Sequence, residues 1–370
     1  MRPQLGNNRK LRIFIFLNLF LGGICAFSVQ ADVVTPFLYT HWETYYSSDM
    51  GLPSDHVFTI KSAGDSLWVG TEGGLALFEN NIWKSWTEKD GLPWNVIMGI
   101  DVSEKTGDVW LATFGGGLIR FSGGRFDQFT QLNSGLVNDV LYGVAVSGDE
   151  IWAATAAGVS TYNTITGQWT IFNEKNAPME EIWCYNVDTD GDKVYVAVWG
   201  GGILVWDNET KRWNAHRDPD GEMEIDLYRD DGLIHDITTS VSAGDDTMWA
   251  ATYFGLSRYD GRHWRGYMDH DSGLVSNFIN LATGVDRNSC LVATDKGLSI
   301  LGDFVTDTWI TYKRENEDAQ YWTAHINKGK TEVDKQKTNL DLPNHFVLAV
   351  TLHKKELWIG TGHGLARGWQ

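Results

Sequence analysis

Apolar and polar positions alternate along the chain in one recurring phrase. Leu67-Trp68-Val69-Gly70-Thr71-Glu72-Gly73-Gly74-Leu75-Ala76-Leu77-Phe78 sets an apolar run, a short polar turn rich in glycine, and a second apolar run side by side. Further copies begin at Val109-Trp110, Ile151-Trp152, Val194-Tyr195, Met248-Trp249, Cys290-Leu291 and Leu357-Trp358. Apolar runs this short, bounded by turn residues, read as strands. Aligned on the Trp, the copies fall at 68, 110, 152, 195, 249, 291 and 358, a step of about 42 residues with two longer intervals. A repeat of that size means stacked units of one architecture rather than several unrelated domains.

Each unit predicts four strands: an inner one such as His56 to Lys61, the two apolar runs of the phrase, and an outer one with two aromatics three residues apart. The outer pairs are Trp83 and Trp86, Phe126 and Phe129, Trp169 and Phe172, Trp264 and Tyr267, Trp309 and Tyr312, with Trp213 and His216 the most divergent. A spacing of three on a strand sends the rings to opposite faces, as a sheet packed between two sheets requires. The last unit ends without its outer strand, but Trp42 and Tyr45 in His41-Trp42-Glu43-Thr44-Tyr45-Tyr46 repeat the pattern at the other end. The chain is therefore expected to be all-β, a seven-bladed β-propeller whose last blade is completed by the N-terminal strand. Closure of that kind hides sheet edges.

Residues 1–31 read separately. Arg2, Arg9, Lys10 and Arg12 precede an apolar run from Ile13 to Val29 and a small-residue cleavage pattern, Val29-Gln30-Ala31, which predicts an export signal and a periplasmic or secreted protein occupying 32–370. The formal charge is −18; without those four bases, 48 acids face 26 bases, a charge of −22. Such a surface is unsuited to nucleic acid, whose phosphates need basic partners. No further segment is long and apolar enough to span a membrane. Cys184 and Cys290 stand in different repeats and offer neither a disulfide framework nor a cysteine metal site.

The succession Gly51-Leu52-Pro53-Ser54-Asp55-His56-Val57, then Leu67-Trp68-Val69-Gly70-Thr71-Glu72-Gly73-Gly74-Leu75, then an aromatic outer strand resembles the two-component regulator propeller repeat, across nearly all of residues 37–370. The resemblance implies an extracytoplasmic propeller that binds a glycan or another extracellular ligand. The further β-domain, membrane helix and kinase domains that follow the propeller in that family have no counterpart in this sequence.

In a propeller, the turn between second and third strands and the loop entering each blade share one face. The first set of turns presents Phe114, Trp199, Tyr253, Phe254 and His363, beside Glu72, Asp295 and Lys296. The second presents Asp55, Asn95, Asp139, Glu181, Asp236, Asn277 and His345 at equivalent places. These seven polar residues are either caps of the turn entering the inner strand or the rim of a ligand site. Trp94 and Trp199 fall outside the packing positions of the repeat, as do Trp183, Trp322 and Trp369. Flat aromatics beside carboxylates and amides suit sugar rings, and they equally suit loops packed on one another.

Insertions at about 214–230 and 314–340 are expected to open on the same face, the second as a lid carrying Tyr321, Trp322 and His325. Acids at Asp218, Asp220, Glu222, Glu224 and Asp226 make calcium the one candidate cofactor, although the loop lacks the glycine and closing glutamate of an EF-hand. Asp188-Thr189-Asp190-Gly191-Asp192 also looks calcium-like but reads as a hairpin turn on the opposite face. No metal or catalytic signature is present. The expected function is a binding or interaction module for a carbohydrate or an envelope protein. The rival readings are a lyase or glycan hydrolase, including a lyase like the streptogramin-cleaving propellers, using His345, His363 and nearby acids, and a scaffold subunit of an envelope complex.

Overall fold

Glycine- and asparagine-bearing turns fold the chain back on itself every few residues, and the resulting hairpins gather into seven antiparallel sheets. The computed structural model describes residues 37–48, 51–219, 230–316 and 318–370; the expected export signal lies outside them. Blade one comprises Val57–Ala63, Ser66–Thr71, Leu75–Glu79 and Ile82–Trp86 from inner to outer strand. Blades two to five begin at the inner strands Ile97–Val102, Leu141–Ser147, Cys184–Asp190 and Thr238–Gly244. Blade six begins at Ile279–Gly284 and blade seven at Val347–His353. The turns carry their expected chemistry: Asn80 and Asn81 both have positive φ (52° and 60°), the backbone of a two-residue hairpin turn.

The second strand of each blade is the hydrophobic centre. Leu67, Val69, Trp110, Leu111, Trp152 and Trp358 are all buried, because the strand is covered by a neighbouring blade on each of its two faces. The outer aromatics divide between the two seams as their spacing predicts. Trp83 packs on Tyr45 (5.4 Å between ring centres) toward blade seven, while Trp86 packs on Phe121 (5.1 Å) toward blade two.

Blade seven is closed from both ends of the chain. His41–Tyr45 pairs antiparallel with Gly364–Trp369 and serves as its outer strand. Trp42 is buried between blades six and seven, edge-on to Tyr312 at 5.6 Å, and its indole N–H donates to the Tyr39 carbonyl (3.2 Å). The Tyr312 hydroxyl accepts the Tyr39 N–H (2.7 Å) and donates to the Phe37 carbonyl (3.0 Å), tying the incoming segment to blade six.

The segment at 314–340 differs from expectation. Instead of a lid over one face it supplies the strands Trp322–Lys328 and Thr331–Lys337, which extend blade six outward to six strands. Trp322, Ala324 and Ile326 alternate with more polar residues and face inward, and Trp322 is fully buried against Leu340 and Leu342 in the same core as Trp42. Its indole N–H donates to the Leu342 carbonyl (2.9 Å). A period-two apolar stripe within a charged segment is enough to make a strand once an outer edge is free to receive it. Of the other insertion, residues 220–229 lie outside the described residues, and with them most of the candidate calcium loop.

Replacing Trp42 with Ala is expected to lower unfolding stability by about 3–5 kcal/mol, as for other fully buried tryptophans. Deleting 37–46 is expected to lower it further. Urea denaturation is the measurement, and a midpoint equal to that of the parent protein would show that the ring does not depend on this strand.

Candidate functional site

The geometry of the upper face starts from a side-chain hydrogen bond that the repeat encodes. In blade one the buried Thr71 hydroxyl donates to the Gly74 carbonyl (2.9 Å) and accepts the Gly73 N–H (3.1 Å) across the turn between second and third strands. Thr113, Thr155, Thr252, Thr294 and Thr361 make the same clasp in their blades. Gly74 has φ of 149°, and a Cβ there would meet the Trp86 carbonyl oxygen at 2.3 Å, so the turn admits no other residue. Blade four has Val198 in place of the threonine. There the Thr238 hydroxyl of blade five donates to both Val198 and Gly202 carbonyls (2.9 Å each).

A second shared device turns residues toward the axis. All seven inner strands carry a bulge near their start, between Val57 and Thr59 in blade one and at equivalent places in the others. The unpaired residues are Phe58, Met98, Tyr142, Tyr185, Thr239, Asn280 and Leu348. A bulge re-aims one side chain per strand, and Phe58, Met98 and Tyr142 line the central channel.

Together these devices place a continuous arc of rings at the channel mouth. Phe114 meets Tyr142 edge-on (5.9 Å), Tyr142 stacks on Tyr185 (4.6 Å), and Tyr185 stacks on Trp199 (5.0 Å). Trp199 then meets Tyr253 edge-on (4.7 Å), Tyr253 stacks on Phe278 (3.8 Å), and Phe278 approaches Phe346 (6.4 Å). Phe114 and Phe346 are exposed, and Tyr142, Tyr185, Trp199, Tyr253 and Phe278 are half-buried. Burial raises the hydroxyl pKa of Tyr142 and Tyr253, and pushes Tyr185 up to about 12 with Tyr142 and Tyr253 adding to the effect. All three phenols are thus neutral at ordinary pH, and among the described residues their hydroxyls have no protein partner.

Of the residues singled out in the sequence, Phe114, Trp199 and Tyr253 belong to this arc. Trp94 lies over Gly115 and Gly116 and donates its indole N–H to the Phe114 carbonyl (2.8 Å), so it holds the Phe114 turn in place. Phe254 stacks on His235 (4.0 Å). Tyr142, Tyr185, Phe278 and Phe346 went unnoticed in the sequence; the signal was an aromatic at the bulge position or just before the inner strand, visible only once the bulge is placed.

The ring of polar residues has a structural task at five of its seven positions. Asp55, Asn95, Asp139, Asp236 and Asn277 each accept, on a side-chain oxygen, a backbone N–H from the start of their own blade-entry loop: Ser47, Glu88, Gln131, Asp218 and Asp269 respectively, at 2.5–2.9 Å. Glu181 and His345 are exposed and make no such bond among the described residues. His363 is exposed, its Nδ1 3.0 Å from the Gly362 carbonyl oxygen. Among the described residues no group of three or more His, Cys, Asp or Glu gathers at one point.

Below the mouth, inner strands of all seven blades line a channel of about 460 Å³. Its polar side chains satisfy the inward strand edges of the next blade. Asp101 accepts the Val146 N–H (2.7 Å), Asp188 the Ala243 N–H (2.8 Å) and Ser240 the Ala282 N–H (2.8 Å). Lys61 pairs with Asp101 at 2.8 Å. Burial opposes the Lys61 charge, but Asp101 outweighs it and the pKa is raised. Burial pushes the Asp188 carboxyl up to about 6, against the lowering effect of the Ala243 N–H and Lys61.

No family model and no curated protein matches the chain. Among solved structures it is similar to the extracellular domain of the hybrid two-component system BT3049 from B. thetaiotaomicron, with 16% identity and a TM-score of 0.66 over 90% of this chain and 42% of that one. The corresponding domain of BT4673 from the same organism gives 15% and 0.62, over 90% of this chain and 40% of that one. BamB from Moraxella catarrhalis gives 13% and 0.54, over 89% of this chain and 100% of that one. The chain spans about two fifths of the length of the two extracellular domains. At these identities the likeness shows the propeller fold.

A folded-state carboxyl pKa above its unfolded value means that the native protein holds the proton more tightly, so stability falls as pH rises from about 4 to about 6 and levels off above. Asp188→Asn is expected to remove that decline, raising the melting temperature at pH 7.5 more than at pH 4.5. Equal shifts at the two pH values would contradict the assignment.

Proposed function

We propose that the protein is an extracytoplasmic binding module of the two-component regulator propeller type, and that it takes a carbohydrate chain across the upper face. The observation that carries this reading is the arc from Phe114 to Phe346, seven rings in sequence around the channel mouth from blade two to blade seven. Sugar rings present apolar C–H faces to aromatic planes and hydroxyls to polar edges. The Tyr142, Tyr185 and Tyr253 hydroxyls can donate or accept where such a ligand would lie. The rings are held by bulged strands and clasped turns, so little side-chain freedom is lost on binding.

Export and an extracytoplasmic location are part of the same proposal, supported by the signal-like pattern of residues 1–31. The arc exposes aromatic surface of the kind that marks interaction sites on soluble proteins, and an envelope protein would be the partner if glycans fail. The histidines that an enzyme reading needs, His345 and His363, are both exposed and have no carboxylate partner among the described residues.

Isothermal titration with neutral oligosaccharides tests the reading. Trp199→Ala and Tyr253→Ala are each expected to weaken binding about tenfold or more, the usual effect of removing a central aromatic anchor, while leaving the melting temperature within a few degrees. Binding unaffected by either change would place the ligand elsewhere. Absence of binding across a broad glycan set would remove the carbohydrate reading.

A further inference from the structure

The repeat fills each seam between blades with large rings, and one seam departs from it. Trp68 stacks with Trp86 (5.9 Å), Trp110 with Phe129 (6.0 Å), Trp152 with Phe172 (5.7 Å) and Trp358 with Tyr45 (5.7 Å), each pair joining the second strand of a blade to its outer strand. Blade six has the shorter Leu291, but Trp42 and Trp322 share its core. In blade four the two positions hold Tyr195 and His216, both smaller and polar. A groove of about 690 Å³ opens there between blades four and five, toward the face opposite the aromatic arc.

Charge at this seam is also reversed from its counterparts. On the same lower face, hairpin turns of adjacent blades are bridged by Lys354 and Asp65 (2.7 Å) between blades seven and one, and by Lys105 and Asp149 (2.7 Å) between blades two and three. Here the turns of blades four and five both bring carboxylates to the groove, Asp192 from the first and Asp246 from the second. Asp190, Asp207 and Glu209 also line it, with Lys193 as the one lysine or arginine among the described lining residues. None of these five carboxylates is in an ion pair among the described residues. Burial pushes the Tyr195 hydroxyl up to about 12, and Asp190, Asp188 and Asp246 add to the shift, which places their negative potential on the groove wall.

We infer that this groove is a second binding site, distinct from the upper face, and that it receives a basic peptide segment of a protein partner. The carboxylates do not converge as metal ligands do, but they are spread along an opening that can take several Lys or Arg side chains in turn. Tyr195 supplies a ring face for guanidinium stacking, and the aspartates supply paired acceptors for the fork of an arginine.

The test is fluorescence anisotropy of the full protein with labelled octa-arginine and octa-lysine, and with a neutral labelled oligosaccharide for comparison. The pair Asp192→Asn and Asp246→Asn is expected to weaken peptide binding about tenfold or more. Neutralising two exposed acids elsewhere, Asp127→Asn and Glu174→Asn, changes net charge equally and is expected to alter it less than about twofold. Tyr195→Trp with His216→Phe restores the rings of the repeat without changing any carboxylate; it is expected to fill the groove, raise the melting temperature and abolish binding. Equal losses in groove and control variants would reduce the effect to overall charge and overturn the site. Binding of the oligosaccharide at the groove, lost on Tyr195→Trp, would overturn the basic-peptide assignment. The upper-face variants Trp199→Ala and Tyr253→Ala are expected to leave peptide binding unchanged, so failure of either proposal is read independently.

Discussion

Every blade of this ring has two apolar faces and can cover neither alone. The second strand of each is buried from both sides by its neighbours, so the stability of any one blade is a property of the circle. The arrangement is complete only when residues 41–45 join the sheet made by residues 347–369, about 300 positions away along the chain. Loop-closure entropy grows slowly with length, so a pairing this distant costs little more than a nearer one. The segment from Phe37 to Tyr45 is therefore bound on three sides, by the strand Gly364–Trp369, by Tyr312 and by Asn339, whose side chain accepts the Trp42 N–H (2.7 Å) and donates to the Trp42 carbonyl (3.0 Å).

The same economy of neighbours governs the axis. Inner strands present an unpaired edge to the channel, and side chains from the preceding blade occupy it: Asp101 for blade three, Asn186 and Asp188 for blade five, Ser240 and Ser242 for blade six. Gly99 and Gly143 allow the inner strands of blades two, three and four to approach closely, since a Cβ on either would lie about 3.1 Å from the next backbone. A rigid, hydrogen-bonded collar results, and the bulges immediately above it aim Tyr142 and Tyr185 into the mouth. The ring arc rests on this collar, so its spacing is fixed by the frame and not by the loops alone.

Much of this was legible in the sequence because the repeat repeats. The Trp register, the separation of Trp83 and Trp86 to opposite seams, and the N-terminal strand with Trp42 follow from period-two geometry applied seven times. What escaped were features that period cannot express. A bulge shifts the inner strand by one residue, so Tyr142 and Tyr185 sit where simple alternation gives no indication of their direction. Trp322 and its hairpin looked like a polar lid because Lys, Glu and Asp outnumber the apolar stripe; only the free edge of blade six turns that stripe into a strand. The polar residues entering each inner strand read as caps or as ligands, and the loop amides that five of them accept become visible only in three dimensions.

The borrowed hydroxyl at blade four bears on how far such a ring is modular. Because Val198 has no hydroxyl of its own for the clasp, blade four takes it from Thr238 of the following blade, and without that neighbour the Val198 carbonyl would be left with the Gly201 N–H (3.0 Å). Blades four and five are thus coupled at this turn, whereas blades with a resident threonine make the clasp within themselves. The departures gathered at this pair, Tyr195, Val198 and His216, thus make it the stretch of the circle where two modules behave as one and where exchange of a single module would break a bond.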